Sequence, residues 1–267
     1  MTRIEGTFAG IRARGQPGLI AYITVGYPTL DDTMRLVPAL IEGGADIVEL
    51  GVPFSDPLAD GATVQRSTQY ALEQGVTLSA CLDVAARLRK SNVDAPLILM
   101  GYMNPFLKYG LTRFFEDAVS AGVDGLIAVD ATLDEADELR EASAGVDIDL
   151  IRLVAPTTGD ERLTLLLREA RGFVYCVSVA GTTGARGDLP AALPQLVARV
   201  KRHTELPVAV GFGVSKREHI ASIGQLCEAA VVGSAIVDVI ESAPPDQLIS
   251  RVKGYVEDIT GRRGVPS

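Results

Sequence analysis

Residues 49–67 read ELGVPFSDPLADGATVQRS, and the rest of the chain is best interpreted outward from this stretch. It continues an apolar run that starts at Ile47, which is typical of a strand buried on both faces but carries one carboxylate, Glu49. Two prolines within residues 53–57 exclude an ordinary helix and predict a loop. The loop delivers a second acid, Asp60, just before a predicted helix.

The two carboxylates, one on a strand end and one on the following loop, suit acid–base catalysis. Burying an ionised carboxylate is costly unless it is paired or its pKa rises, and acid–base catalysis needs such groups at the site. The alternative gives both acids structural roles, with Glu49 paired to a core arginine and Asp60 capping the helix. Spacing alone leaves both interpretations open.

Length and composition limit the class of protein. The chain has 267 residues, which fits a single α/β barrel domain over residues 1–267. Hydrophobic residues make up 47% and tryptophan is absent, so we expect a mostly aliphatic core. A net charge of −9 without a long basic run argues against a nucleic-acid partner. No apolar run reaches the ~18 residues of a membrane span, and the first residues have no apolar signal core. Three scattered cysteines fit reduced thiols, so we expect a cytoplasmic protein.

Short apolar runs alternate with helical patterns along the chain, which indicates a parallel sheet. The predicted strands are Leu19–Val25, Ile47–Gly51, Pro96–Tyr102, Gly125–Val129, Asp149–Val154, Phe173–Ser178, Val208–Gly211 and Ala229–Gly233. An extra helix over residues 1–13 precedes them, and each strand is followed by a helical pattern. Eight such units predict an α/β fold, a (β/α)8 TIM barrel. The alternative, a doubly wound open sheet, lacks a GxGxxG motif after the first strand.

In a barrel the active site lies at the C-terminal ends of the strands. The residues predicted there are Glu49, Asp60, Tyr102, Asp130, Tyr175, Gly211, Phe212, Gly213, Gly233 and Ser234. This convergence favours a functional role for Glu49 over a structural one.

Glycine-bearing turns in the second half of the chain predict a phosphate site. They lie at residues 181–184, 211–213 and 233–234, and the last runs directly into a predicted helix whose free N–H groups can bind an anion. Barrels often hold phosphate at the loops after strands seven and eight. Each turn alone is explained as a tight connection, but together they favour phosphate.

The sequence argues against several classes of catalytic mechanism. None of the lysines lies within a predicted strand, which argues against a Schiff-base aldolase. The only histidines, His203 and His219, fall on or at the end of predicted helices, where we expect them to be solvated, so no metal site is predicted. No GxSxG motif or Cys–His pair is present. Carboxylate acid–base chemistry on a phosphorylated ligand remains, without a metal or bound cofactor in this chain.

The segment PFSDPLADG at residues 53–61 resembles the signature of the α subunit of tryptophan synthase. Further segments are similar to that family: LIAYITVGYP from Leu19, LMGYMNPFLKYG from Leu99, AGVDGLI from Ala121, APTT from Ala155, VGFGVS from Val210 and VVGSAIV from Val231. Three positions depart from it. Ala62 and Thr132 stand where proline is usual in the family, and Thr182 stands where valine is usual.

The resemblance implies a lyase that cleaves indole-3-glycerol phosphate to indole and glyceraldehyde 3-phosphate, a retro-aldol step of tryptophan biosynthesis. Glu49 would be the general acid and base, and Asp60 would accept a hydrogen bond from the indole N–H. The implied substrate contacts are Tyr22, Met100, Tyr102, Ile127, Val129, Ile151, Tyr175, Thr183 and Phe212. The implied phosphate contacts are Gly184, Gly211, Gly213, Gly233 and Ser234. Filling the barrel core is the alternative role of the apolar members.

The resemblance also implies a partner, a β subunit that carries pyridoxal phosphate, in an α2β2 heterotetramer. The implied docking residues are Pro53, Phe54, Asp56, Asn104 and Pro105. The polar, glycine-rich stretch 181–189 is predicted to be a lid, with a solvated turn as its alternative. Two other functions stay open: a free-standing lyase that works without a β partner, and a regulatory subunit that has lost catalysis.

Overall fold

The computed structural model describes residues 1–131, 133–168, 170–177, 192–211 and 213–262, with only the backbone at 133–136. Within these ranges nine strands form: β1 (Gly18–Thr24), β2 (Ile47–Gly51), β3 (Leu97–Gly101), β4 (Gly125–Ala128), β5 (Asp149–Leu150), β6 (Arg152–Val154), β7 (Val174–Val177), β8 (Val208–Gly211) and β9 (Ala229–Val232). The helices are α1 (Arg3–Arg14), α2 (Leu30–Glu42), α3 (Ala62–Glu73), α4 (Leu78–Lys90), α5 (Met103–Tyr109), α6 (Leu111–Ser120), α7 (Leu133–Ala142), α8 (Asp160–Arg168), α9 (Leu193–Lys201), α10 (Arg217–Gly224), α11 (Ser234–Ser242) and α12 (Leu248–Thr260).

All the strand pairs are parallel, in the order β5-β4-β3-β2-β1-β9-β8-β7-β6. The strands β5 and β6 are two halves of one barrel strand, separated by Ile151. The first half pairs with β4 and the second with β7, so the continuous chain closes the ring. The predicted (β/α)8 TIM barrel is confirmed, with its fifth strand divided.

The extra helix α1 closes the N-terminal end of the barrel. Its buried side chains Ile4, Phe8 and Ile11 belong to the same apolar cluster as the inward-facing residues of the strands. The rings of Phe8 and Phe173 lie 5.4 Å apart, within the range of favourable aromatic contacts. Because this end is filled by side chains, a ligand reaches the barrel interior from the C-terminal ends of the strands.

A second apolar layer lies between the strands and the outer helices, and it explains why the strands read as continuous apolar runs. All seven residues of β1 and all five of β2 are buried. The cluster that joins these strands to the helices is built largely from aliphatic residues, as expected for a chain without tryptophan. None of the helices among the described residues is long and apolar enough to cross a membrane.

One sequence prediction about local structure is wrong, and one helix was missed. The helix α5 was not among the predicted helices; its Pro105 lies in the first helical turn, where a missing N–H needs no partner. His219 is buried rather than solvated. Its Nδ1 atom lies 3.3 Å from the N–H donor of Ser215, on the α10 face that also buries Ile220.

Candidate active site

A cavity of about 310 Å³ opens at the C-terminal ends of the strands. Its wall contains these predicted site residues: Tyr22, Glu49, Asp60, Met100, Tyr175, Gly211, Gly213, Gly233 and Ser234. They come from the ends of β1, β2, β3, β7 and β8 and from the segments that follow β2, β8 and β9. The barrel therefore gathers in one place residues that are far apart in sequence.

Glu49 lies on β2 in register with Tyr22 on β1, and it is fully buried. Neither of its carboxyl oxygens has a hydrogen-bond partner in the part of the chain that the structure describes. Burial disfavours the charged form and raises the pKa of Glu49 to about 8. At neutral pH the side chain therefore holds a proton. No described arginine pairs with it, which contradicts the alternative in which Glu49 forms an ion pair in the core.

Asp60 lies half-buried on the loop between β2 and α3. Its N–H donates to the Pro57 carbonyl at 3.0 Å, and its carbonyl accepts from the Gln65 side chain at 2.9 Å. The N-cap of α3 is Gly61, so Asp60 is not the helix cap that the structural alternative required. Burial raises the pKa of Asp60 to about 6, and hydrogen bonding to Tyr102 opposes the rise.

The two carboxyl groups thus differ in protonation state. With pKa values of about 8 for Glu49 and about 6 for Asp60, one is mostly neutral and the other mostly ionised at pH 7. Acids whose surroundings separate their pKa values in this way take different chemical roles. The arrangement can donate a proton at one point of the cavity and hold negative charge at another.

The Tyr102 side chain fastens the loop that carries Asp60. Its hydroxyl accepts a hydrogen bond from the N–H of Ala59 at 3.0 Å, and its ring lies 5.3 Å from that of Phe54. Burial raises the pKa of Tyr102 above its usual value, and the charge of Asp60 adds to this. Tyr102 therefore stays neutral and fixes the loop from the end of β3.

Tyr175 lies against the opposite wall. A side chain at Gly211 would overlap the Tyr175 hydroxyl, so glycine there lets the tyrosine reach the cavity. The pKa of Tyr175 is raised well above its usual value, first by burial and then by the nearby Glu49. Tyr175 is consequently a neutral hydrogen-bonding group beside the buried acid.

The other end of the cavity suits an anion. Gly233 is the N-cap of α11, and among the described residues it receives no side-chain cap and the first turn of α11 contains no acid. The positive end of the helix dipole therefore favours an anion at this end of the cavity. The Asp238 carboxylate, one turn further along α11, also lines the cavity and accepts a hydrogen bond from the Thr63 hydroxyl. Gly213 has φ 58°, and a Cβ there would meet open space among the described atoms.

A family model described as "Tryptophan synthase alpha chain" matches residues 8–260. The chain belongs to the tryptophan synthase alpha chain family. The tryptophan synthase alpha chain of Chloroflexus aggregans is 48% identical over 259 residues, which is 97% of each chain. A crystal structure of tryptophan synthase subunit alpha from Legionella pneumophila superposes with a TM-score of 0.90 at 32% identity over 98% of each chain. A structure of Mycobacterium tuberculosis tryptophan synthase gives a TM-score of 0.90 at 36% identity over 99% of each chain.

The family resemblance of residues 53–61 is therefore confirmed, and with it the assignment to the lyases of tryptophan biosynthesis. The roles of individual site residues in this chain are a separate question, and the structure shows only where each residue lies. Thr183, Gly184 and Phe212 fall outside the described residues, and their roles stay predictions.

Four predicted substrate contacts lie away from the main cavity wall. Tyr102 acts on the Asp60 loop, and Ile127 is fully buried in the inner barrel cluster. Val129 and Ile151 line a second cavity of about 230 Å³ near the break in the fifth strand. Their contacts with substrate remain predictions.

The predicted docking residues lie on the segment that follows β2 and on α5. Pro53 is buried, Phe54 and Pro105 are half-buried, and Asp56 and Asn104 are exposed. On the same segment as Asp56, the large apolar side chain of Leu58 is 91% exposed. The role of these residues in docking stays a prediction.

Sequence reasoning missed several lining residues: Ala59, Gly61, Thr63, Val64, Val214, Ser215, Val231, Ala235 and Asp238. The Thr63 hydroxyl donates to the Asp238 carboxylate at 3.1 Å and so joins α3 to α11 across the rim. Helical spacing carried a signal for Asp238, since it lies one turn after Ser234 on the same face. Within the described ranges no group of three or more His, Cys, Asp or Glu side chains could hold a metal ion.

Proposed function

We propose that this protein cleaves indole-3-glycerol phosphate to indole and D-glyceraldehyde 3-phosphate with Glu49 as the general acid and base. The observation that carries the proposal is the state of Glu49. It is buried at the cavity wall, has no hydrogen-bond partner among the described residues, and holds its proton because its pKa is raised to about 8. An acid in this state is poised to transfer a proton to a substrate.

The reaction begins at C3 of the indole ring. Glu49 gives its proton to C3, and the ring becomes a cation whose positive charge extends to the ring nitrogen. Asp60, mostly ionised because its pKa is only about 6, accepts a hydrogen bond from the ring N–H. Its negative charge stabilises the cation as it develops, which is electrostatic catalysis.

The carbon–carbon bond then breaks. The hydroxyl on the carbon next to the ring loses its proton to the Glu49 carboxylate, its oxygen forms the aldehyde, and the bonding electrons return to the indole ring. Indole and glyceraldehyde 3-phosphate leave, and Glu49 has recovered the proton that it gave. The ring itself takes up the electrons, so the step runs on the two carboxylates of this chain.

The phosphate anchors the substrate at the α11 end of the cavity. The proposed contacts are Gly184, Gly211, Gly213, Gly233 and Ser234, with backbone N–H groups as donors. Binding energy from this remote group orients the reacting carbon toward Glu49. The proposed ring and glycerol contacts include Tyr22, Met100 and Tyr175, which share the cavity wall with both acids.

The proposed partner is a β subunit that carries pyridoxal phosphate, in an α2β2 heterotetramer. The exposed Leu58 and the neighbouring docking residues Pro53, Phe54, Asp56, Asn104 and Pro105 lie on the segment after β2 and on α5, next to the cavity mouth. A partner bound there would contact the loop that holds Asp60, which would couple docking to turnover. Cys81, Cys176 and Cys227 are free and buried, which supports a reducing, cytoplasmic setting.

Indole release from indole-3-glycerol phosphate by the purified chain, with and without a β subunit, tests the proposal. Because the substrate carries the same indole ring as the product, the released indole is separated from it by extraction into an organic solvent before it is quantified. Turnover that rises on adding the β subunit supports the proposal. Strong turnover without a rise would favour the free-standing lyase, and activation of the β subunit without turnover in this chain would favour a regulatory subunit.

A further inference from the structure

Three buried hydroxyl groups lead from the cavity wall into the layer between β1 and α3. The Tyr22 hydroxyl lies 3.3 Å from the Thr24 hydroxyl, which lies 2.7 Å from that of Ser67. The Ser67 hydroxyl in turn donates to the Val64 carbonyl at 2.9 Å. Tyr22 is 8% exposed, and Thr24 and Ser67 are 1% exposed, so water hardly reaches this chain of hydroxyls.

The carbonyl at one end fixes the order of the hydrogens. A carbonyl oxygen only accepts, and each hydroxyl has one hydrogen to give. Ser67 gives its hydrogen to Val64 and therefore accepts from Thr24. Thr24, having given its hydrogen, accepts from Tyr22. This order satisfies all three contacts, whereas the reverse order would give up the bond from Ser67 to Val64.

The order determines what Tyr22 offers to a ligand. Its hydrogen points to Thr24, so the phenol oxygen has only lone pairs left for the cavity. Tyr22 also stays neutral, because burial and then the nearby charge of Asp60 raise its pKa. The ring is held in place by packing with Val64, Val237 and Met100. The cavity wall thus contains a fixed, neutral acceptor in the electrostatic neighbourhood of Asp60.

We infer that Tyr22 is a specificity-determining residue, whose oxygen joins Asp60 in accepting a hydrogen bond from the N–H of the substrate ring, and that Thr24 and Ser67 are positioning residues. The inference rests on the proposed function. The hydroxyl chain also keeps the Tyr22 hydrogen from being given to Asp60, where it would compete with the ring N–H. Rings that lack an N–H donor gain nothing from this arrangement.

The test compares two unreactive ligands by calorimetry: 3-indolylpropyl phosphate and its benzofuran counterpart, in which oxygen replaces the ring N–H. Loss of one hydrogen bond in Tyr22→Phe should lower the preference for the indole ligand by roughly 3- to 10-fold. Affinity for the benzofuran ligand should stay within about twofold. Ser67→Ala should lower the preference less, since it removes only the constraint on the Tyr22 hydrogen.

Tyr109→Phe is the matched control, because it removes a hydroxyl that bonds Asp117 at 2.6 Å outside the cavity. If Tyr22→Phe keeps the wild-type preference for the indole ligand over the benzofuran ligand, with or without lower stability, the hydroxyl chain has only a structural role and the inference is wrong. If the wild-type chain binds neither 3-indolylpropyl phosphate nor its benzofuran counterpart, the proposed function itself is wrong. Should Ser67→Ala fail to fold, Tyr22→Phe, which keeps the ring and its packing, decides the outcome alone.

Discussion

Replacing Glu49 by glutamine should change how the free energy of unfolding depends on pH. The pKa of Glu49 rises from an ordinary 4.5 to about 8 on folding, so between these pH values the folded chain holds a proton that the unfolded chain releases. The contribution of the neutral Glu49 side chain to the free energy of unfolding is fully present below pH 4.5 and is lost as the pH rises toward 8. At about 1.4 kcal/mol per pKa unit, wild type should lose about 4 kcal/mol from this group between about pH 5 and 9. Glutamine cannot titrate, so Glu49→Gln should lack this loss.

Urea unfolding of the wild-type protein and of Glu49→Gln, at intervals from about pH 5 to 9, measures the effect. The stability of Glu49→Gln minus that of wild type should grow by about 4 kcal/mol across the range, whatever its value at pH 5. Glu241→Gln is the control: its carboxylate pairs with Arg66 at 2.8 Å and its pKa is lowered, so it is already ionised throughout. A Glu49→Gln difference that does not vary with pH would refute the raised pKa.

Three further outcomes are expected. The pH profile of kcat/KM should fall below about pH 6, as Asp60 takes up a proton, and above about pH 8, as Glu49 loses one; a profile flat from pH 5 to 9 would contradict both assignments. Asp60→Asn keeps the size of the side chain but loses its charge, and kcat/KM for indole release should drop by roughly 10²–10³-fold; near-normal activity would reduce Asp60 to a structural residue. Gly213→Asp places a negative charge in the open space at the anion end, and KM for the phosphorylated substrate should rise at least about tenfold. Its neutral counterpart Gly213→Asn also tolerates a positive φ and should change KM far less; equal effects of the two variants would move the phosphate elsewhere.

The barrel could be predicted because its strands bury both faces and so leave an apolar run in the sequence. The run over residues 47–51 ends on Gly51 as predicted. Glu49 stood out for a related reason, since a lone carboxylate in such a run requires an explanation. The glycine turn at Gly233 was visible because it comes directly before a helix.

The level that each inward-facing side chain fills along the barrel axis could not be predicted from the sequence. Met100 and Ile127 are direct neighbours in the pairing of β3 with β4, yet only Met100 lines the main cavity. Both were predicted to contact the substrate, but the strand tilt decides which level of the barrel each side chain fills. Similarly, the break at Ile151 follows from ring closure, a property of the whole sheet that has no local signature.

The hydroxyl chain behind Tyr22 was also out of reach of sequence reasoning. Thr24 shares a strand face with Tyr22, which alternation shows, but Ser67 reaches them only because α3 packs over β1. The same holds for the pairing of Thr63 with Asp238, residues that are 175 positions apart. Contacts between helices that cover neighbouring strands depend on the packed barrel rather than on any one segment.

Steady-state release of indole by Glu49→Gln tests the central claim most directly, that this buried acid transfers the proton. The account predicts that kcat falls by at least about 10²–10⁴-fold while the unreactive 3-indolylpropyl phosphate still binds with an affinity close to that of wild type. Turnover near the wild-type rate in this variant, with the same substrate and the same ligand affinity, would contradict the account.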